Sequence, residues 1–227
     1  MSTTMDIIRA DFDRLARLDS GGWNHSSYYH PFLLEQLPPA CEDSLEIGCG
    51  TGSFARLLAQ RSRHVTALDL SPQMIKIAQE RSRQYSNIDY LVADALEWTF
   101  PVEHFDCIVS IATLHHLLLE IILPKITNSL KPESVLLALD LWKDDTIAGL
   151  LISMIAIPAQ IILELIHTGR LRQSLEVRQA WAAHGRNDKF LPISSIRRLC
   201  NNLLPHATIK RHLLWRYSLV WKKPIAS

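Results

Sequence analysis

The chain has 227 residues, of which 48% are hydrophobic and 21% charged, so it can bury a core and is not disordered by composition. Its formal net charge of +1 argues neither for nor against a nucleic-acid partner. The charge is uneven: from Glu164 to the end, 12 Lys/Arg stand against 3 Asp/Glu, a balance of +9. Such a segment suits an anionic membrane surface or an acidic substrate, and scattered basic residues also serve as solvated helix faces.

Residues 5–18 place Ile7, Ile8, Phe12, Leu15, Ala16 and Leu18 at helical spacing, and predict an amphipathic helix. The stretch DSGGWNHSSYYHP then breaks it with Gly21, Gly22 and Pro31, and a short helix FLLEQL follows. Five short apolar runs come next: SLEIG, HVTALDL, IDYLVAD, FDCIVSIA and SVLLALDLW. They are solidly apolar rather than alternating, as strands buried on both faces are. Helical segments are expected between them at 52–62, 72–84, near 95–98 and at 114–130. Strand alternating with helix predicts an α/β fold with a parallel sheet covered on both sides.

Residues 143–190 interrupt that rhythm and predict a helical insert after the fifth strand. Its apolar run 149–167 is long enough to raise a membrane span, but Pro158, Gln160 and Glu164 weigh against one. Its remaining readings are a helix packed over the sheet, or an apolar cap facing a lipophilic substrate or a membrane surface. A helix over ISSIRRLCNNLLP and two strands joined by a turn near Lys210–His212 complete the chain. The N-terminus has neither the basic start nor the apolar core of a signal peptide. The four cysteines, Cys41, Cys49, Cys107 and Cys200, lack the spacing of a zinc site or a disulfide framework, so no metal is expected. A reducing, cytoplasmic setting fits them.

Chemistry concentrates in LEIGCGTG, residues 45–52. Glycines between a strand and a helix permit positive φ and let a ligand approach the backbone. The following helix turns its free N–H groups toward that ligand. The spacing is GxGxG, one residue short of the dinucleotide GxGxxG, which weighs against a pyrophosphate ligand. Asp69 ends the second strand, where a carboxylate accepts hydrogen bonds from both hydroxyls of a ribose. Asp94 and Ala95 end the third strand and suit the edge of an adenine. Asp106 opens the fourth strand and Ser110 lies at its far end, where open α/β sheets bind ligands.

LEIGCGTG, ALDLSPQMIKIAQ, VADALEW, FDCIVSIATLHHL and LKPESVLLALD, in that order, resemble the motifs of class I S-adenosylmethionine-dependent methyltransferases, closest to methyltransferase type 11. The resemblance covers roughly residues 40–142. It implies a Rossmann-like, seven-stranded, mostly parallel sheet with the last strand antiparallel. It also implies that Glu46, Gly48, Cys49, Gly50 and Gly52 meet the methionine end of S-adenosylmethionine and that Asp69 holds the ribose. Leu70 and Met74 would lie beside the adenosine, Asp94 and Ala95 at the adenine edge, and Ser110 near the methionine. A tyrosine of the N-terminal loop, Tyr28 or Tyr29, would close over the cofactor, or else pack the loop onto the sheet edge. The whole chain is then one domain: helix and lid 1–40, cofactor core 41–142, insert 143–190, and closing helix and hairpin 191–227.

Methyl transfer to an alcohol or phenol needs a base, and His116 or His115, beyond the fourth strand, can supply one. Both also suit a role in shaping the cofactor pocket. Trp23, His25, Tyr29 and His30 either join the lid or pack it onto the sheet edge. His184 and Arg186 either reach the substrate or, the reading taken here, are surface residues. The apolar insert points to a lipophilic small-molecule acceptor and to peripheral membrane contact. A non-catalytic cofactor-binding module is the alternative. A nicotinamide-dependent oxidoreductase is disfavoured by the glycine spacing and the missing Tyr-x-x-x-Lys pair, and a nucleic-acid substrate by the missing Asn-Pro-Pro-Tyr-type motif.

Overall fold

A computed structural model describes residues 4–19, 25–142, 158, 161–162, 164–167, 174–186, 188 and 190–225. Trp23, the two glycines beside it and most of the apolar run 149–167 lie outside the described residues. The described elements, in order, are α1 (Thr4–Leu18), α2 (His30–Glu35), β1 (Cys41–Ile47), α3 (Ser53–Leu58), β2 (Ser62–Asp69), α4 (Pro72–Arg81) and β3 (Ile88–Val92). There follow β4 (Phe105–Ile111), α5 (Leu119–Ser129), β5 (Leu130–Leu141), α6 (Leu175–His184), α7 (Ile193–Leu203), β6 (Thr208–Arg211) and β7 (Arg216–Lys222).

The strands form one seven-stranded sheet in the order β3-β2-β1-β4-β5-β7-β6. β1 through β5 pair in parallel, and β7 runs antiparallel to both β5 and β6. The last strand is therefore the reversed one, as expected. Strand order turns back between β1 and β4, and a sheet of this kind binds ligands in the crevice at that point.

Four of the five apolar runs are explained by alternation across two covered faces; the fifth, β3, lies at the sheet edge and is mostly exposed, Leu91 and Val92 included, which corrects its reading as a strand buried on both sides. Ile108, Leu136 and Ala138 enter one core with α5 and α7 (Ile122, Ile126, Ile196), while Cys107, Val109, Leu137 and Leu139 enter the other with Leu33, Phe54, Leu58 and Ile75. Successive side chains of one strand point to opposite faces, so a strand buried on both sides has no polar positions to alternate. Each fully buried Leu, Ile or Phe contributes ~2 kcal/mol. A third cluster, Leu15, Ala16, Met74 and Ala180, seats α1 against α4 and α6. Asp13 reinforces this docking: its Oδ1 accepts from Ser71 Oγ at 2.5 Å and from the Gln73 amide at 3.3 Å.

Several elements differ from expectation, for local reasons. The helix expected over 114–130 is split into a 3-10 turn at Leu114–His116 and α5, because Asp140 captures the amide and ring of His115 and pins the turn. Residues 95–98 form a turn rather than a helix, with the Asp94 carbonyl accepting from Glu97 and Trp98. α3 ends at Leu58, short of the expected 62. The final hairpin turns at 212–215, not 210–212, and Leu214 and Trp215 both take positive φ there. Among the described residues, no helix is long and apolar enough to cross a membrane.

Candidate active site

The glycine loop leaves the C-terminal end of β1. The amides of Gly48 and Cys49 both donate to the Leu68 carbonyl of β2, at 2.8 and 2.9 Å, which binds the loop to the neighbouring strand. Gly48, Gly50 and Gly52 have φ of 76°, 52° and 75°, left-handed values that cost a residue with a Cβ ~1–2 kcal/mol. The three glycines differ in what surrounds them. A Cβ on Gly48 would lie 2.0 Å from Thr113 Oγ1, and one on Gly52 would lie 2.3 Å from Tyr90 Oη. A Cβ on Gly50 would meet nothing within 4 Å. Two glycines thus permit packing, and the third borders open space.

Asp69 locks that loop from the end of β2. Its Oδ2 accepts from the Gly50 amide and its Oδ1 from the Ser71 amide, each at 2.8 Å. Burial pushes the Asp69 carboxyl up to about 6, the two amides pull it down, and Asp13 adds to the rise. The start of α4 is capped separately by Ser71 Oγ, which accepts from the Met74 amide at 3.1 Å. Asp69 is not needed as that helix cap. A carboxylate has about four acceptor positions, so two amides leave capacity for hydroxyl donors.

Glu46 is buried beneath the loop, and its Oε2 has no hydrogen-bond partner. Burial holds its carboxyl well above the usual range, with the nearby Asp69 charge adding to this and Arg56 opposing it. An orphaned buried acceptor costs ~1–3 kcal/mol, and a bound ligand with donors removes that cost. The Cys49 thiol is also buried and stays protonated, its pKa raised by burial.

The remaining candidates are placed as follows. Leu70 is partly buried between Asp69 and Ser71. Asp94 Oδ1 accepts from the Leu96 amide at 2.8 Å, so one carboxylate oxygen closes the turn after β3, and Ala95 is buried beside it. Ser110 is fully buried, and its hydroxyl donates to the Ile47 carbonyl at 3.1 Å, tying β4 to β1. Met74 packs among Leu15, Ala16 and Ala180.

In the N-terminal loop, Tyr29 is buried and its hydroxyl donates to the Leu213 carbonyl at 2.6 Å. His30 packs edge-on against Phe54, and burial lowers its pKa to about 4. These two pack the loop, whereas Tyr28 is 46% exposed. His25 is depressed by burial and by Arg216.

Beyond β4 the two histidines have unequal roles. His115 Nδ1 lies 2.6 Å from Asp140 Oδ1, and its backbone amide donates to Asp140 Oδ2 at 2.8 Å. Burial, with His115 and His184 beside it, lowers His116 to about 3. An imidazole held that low accepts protons too weakly to favour His116 as a base near neutral pH. Arg186 is exposed, as expected, but His184 is buried, which corrects its reading as a surface residue. It turns inward because Phe12 of α1 packs on its ring at 4.8 Å. Asp140, Thr113, Tyr90 and Asp188 were missed at the sequence level. A lone carboxylate ending the apolar run SVLLALD was the available signal for Asp140.

Sheet order, a glycine loop at the switch point and an acidic strand end braced to it are the arrangement that class I S-adenosylmethionine-dependent methyltransferases have. Residues 45–138 match the family described as "Methyltransferase domain", and carry that domain. The chain is 28% identical over 220 residues to an uncharacterized methyltransferase of Mycobacterium tuberculosis, across 89% of this chain and 98% of that protein. It is 53% identical over 72 residues to the malonyl-[acyl-carrier protein] O-methyltransferase of a Paenibacillus species, a stretch spanning 29% of this chain but 26% of that protein. Its fold is similar to that of the N-methyltransferase NodS of Bradyrhizobium japonicum, solved with S-adenosyl-L-homocysteine, with a TM-score of 0.63 and 17% identity over 96% of this chain and 98% of that one.

Proposed function

We propose that this chain binds S-adenosylmethionine in the crevice between Gly50 and Asp69 and transfers its methyl group to a small, lipophilic acceptor. The observation that carries the reading is the braced loop itself: Asp69 fixes the Gly50 amide, while the space a Gly50 side chain would occupy is open. The buried, unpartnered Glu46 oxygen beneath it supports a ligand bearing donors at that end.

When bound, the sulfonium cofactor supplies an already activated methyl group, so the protein's task is alignment and exclusion of water. Asp69 takes the ribose hydroxyls, Asp94 and Ala95 the adenine edge, and Leu70 lies beside the ring. The loop from Glu46 to Gly52 takes the methionine end, and Ser110 and Thr113 hold its far wall. α1 and the loop carrying Tyr28 form the lid. Residues 1–227 act as one domain.

The lipophilic part rests on the insert, where Ile161, Ile162, Leu165 and Ile166 are all exposed. The same residues support peripheral contact with a membrane from the cytoplasm. Incubation of the protein with methyl-labelled S-adenosylmethionine and a fractionated cell extract, followed by mass spectrometry, tests the reading. Label is expected in an organic-soluble small molecule. Label confined to protein or nucleic acid overturns it.

A further inference from the structure

The described residues hold a dense group of imidazoles and carboxylates that methyl transfer does not explain. His115, His116 and Asp188 each offer one ligand atom, and those atoms all lie within 4.8 Å of one another. The side chains are buried, with 6%, 6% and 8% of their surface exposed. His116 Nδ1 and His184 Nε2 each stand 3.6 Å from Asp188 Oδ1. A hydrogen-bonded pair would close to within ~3.2 Å. Ligands 2.0–2.1 Å from a tetrahedral ion stand ~3.3 Å apart, so the spacing suits co-ligands.

Two further observations point to a missing ligand. His116 Nδ1 and His184 Nε2, the nitrogens that face Asp188, stop short of a hydrogen bond to it, on side chains with only 6% and 4% of their surface exposed. The outer groups are also arranged as they are around metals. Asp140 is wholly buried and holds His115 Nδ1 at 2.6 Å, which fixes the tautomer and leaves Nε2 as the lone-pair atom. Asp11 Oδ2 stands 3.5 Å from His184 Nδ1 in a similar outer position.

We propose that His115, His116 and Asp188 bind one divalent transition-metal ion, with His184 beside the carboxylate and Asp140 orienting His115. Two imidazoles and a carboxylate select zinc and its neighbours over calcium or magnesium. The ion joins the turn after β4 to the chain that follows α6, and so fixes the end of the insert against the sheet. The expectation of no metal rested on cysteine spacing, and this site uses none. It does not depend on the cofactor reading, and a protein unable to bind S-adenosylmethionine would still bind the ion.

The test is calorimetric titration of the chelator-treated full chain with Zn2+, together with the absorption spectrum of its Co2+ form. One ion per chain is expected, with a tetrahedral or five-coordinate Co2+ spectrum that has no thiolate charge-transfer band. Asp140→Asn is expected to weaken binding by ~10–100-fold, as outer-shell changes do, and Asp188→Asn by more than that. Cys41→Ser should leave affinity unchanged. Absence of Zn2+ binding, a thiolate band, or affinity that survives Asp188→Asn overturns the proposal. Should Asp188→Asn fail to fold, the stoichiometry and Co2+ spectrum of the wild-type chain decide it alone.

Discussion

The backbone amide of Gly50 donates to Asp69 Oδ2 across 2.8 Å, so the glycine loop of one strand and the acidic end of the next are a single unit. A loop with three positive-φ residues would otherwise sample many shapes. The carboxylate selects one of them and keeps its remaining acceptor positions at the crevice.

Substitution of Asp69 should therefore damage the site twice. Asp69→Ala removes both the ribose acceptor and the loop brace, and S-adenosylhomocysteine affinity is expected to fall at least ~100-fold, since hydrogen bonds to a charged group contribute ~1.5–3 kcal/mol. Asp69→Asn keeps the shape and one carbonyl oxygen and should lose less. Calorimetric titration of both variants, with circular dichroism to check the fold, tests the order. Equal affinity for wild type and Asp69→Ala would place the ribose elsewhere.

The Asp69 carboxyl also sets a pH dependence. Its folded pKa, about 6, lies above its ordinary value of 3.8. The fold therefore holds this proton more tightly than the unfolded chain does. That contribution to stability is fully present below about 3.8 and is lost as pH rises through about 6. Ribose hydroxyls donate to the ionised form, so cofactor binding has the opposite sign. Affinity should be flat above pH 7 and fall about tenfold per unit below 6. A pH series of dissociation constants for wild type and Asp69→Asn checks this, and the variant should lack the step.

The glycines separate stability from binding. Gly48→Ala places a Cβ 2.0 Å from Thr113 Oγ1, and its expected cost is ~2–4 kcal/mol of clash and left-handed strain. Gly50→Ala meets no atom, so only the strain remains, ~1–2 kcal/mol. Its methyl nevertheless projects into the space assigned to the cofactor, so it should bind poorly while staying folded. Urea melts beside titrations would show the two effects falling on different variants.

Tyr29 ties the N-terminal loop to the last hairpin through its 2.6 Å hydrogen bond to Leu213. Burial pushes its hydroxyl up to about 12, so it remains a donor throughout the usable pH range. Tyr29→Phe should cost ~1 kcal/mol, more if the Leu213 carbonyl is left dry. Protease sensitivity of residues 20–30 should rise with it.

Much of this architecture was legible because burial on both faces writes an unmistakable pattern. Runs such as HVTALDL and FDCIVSIA have no polar face, and the glycine loop and Asp69 sit at the ends of such runs. What escaped notice depends on partners distant in sequence. The split near 114–118 is set by Asp140, 25 residues from His115. The burial of His184 depends on Phe12, brought there by the docking of α1 on α6. Leu214 and Trp215 take left-handed φ without any glycine to announce a turn. The imidazole cluster has no spacing signature, because its members come from the turn after β4 and from residues 184–188.

The central claim is that the crevice between Gly50 and Asp69 takes an adenosyl sulfonium. Isothermal titration of the full chain with S-adenosylmethionine, its demethylated product and NAD tests it most directly. The account predicts saturable one-to-one binding of the first two, lost in Asp69→Ala, and none of NAD. Binding of NAD alone, or of none of the three by a folded chain, would contradict it.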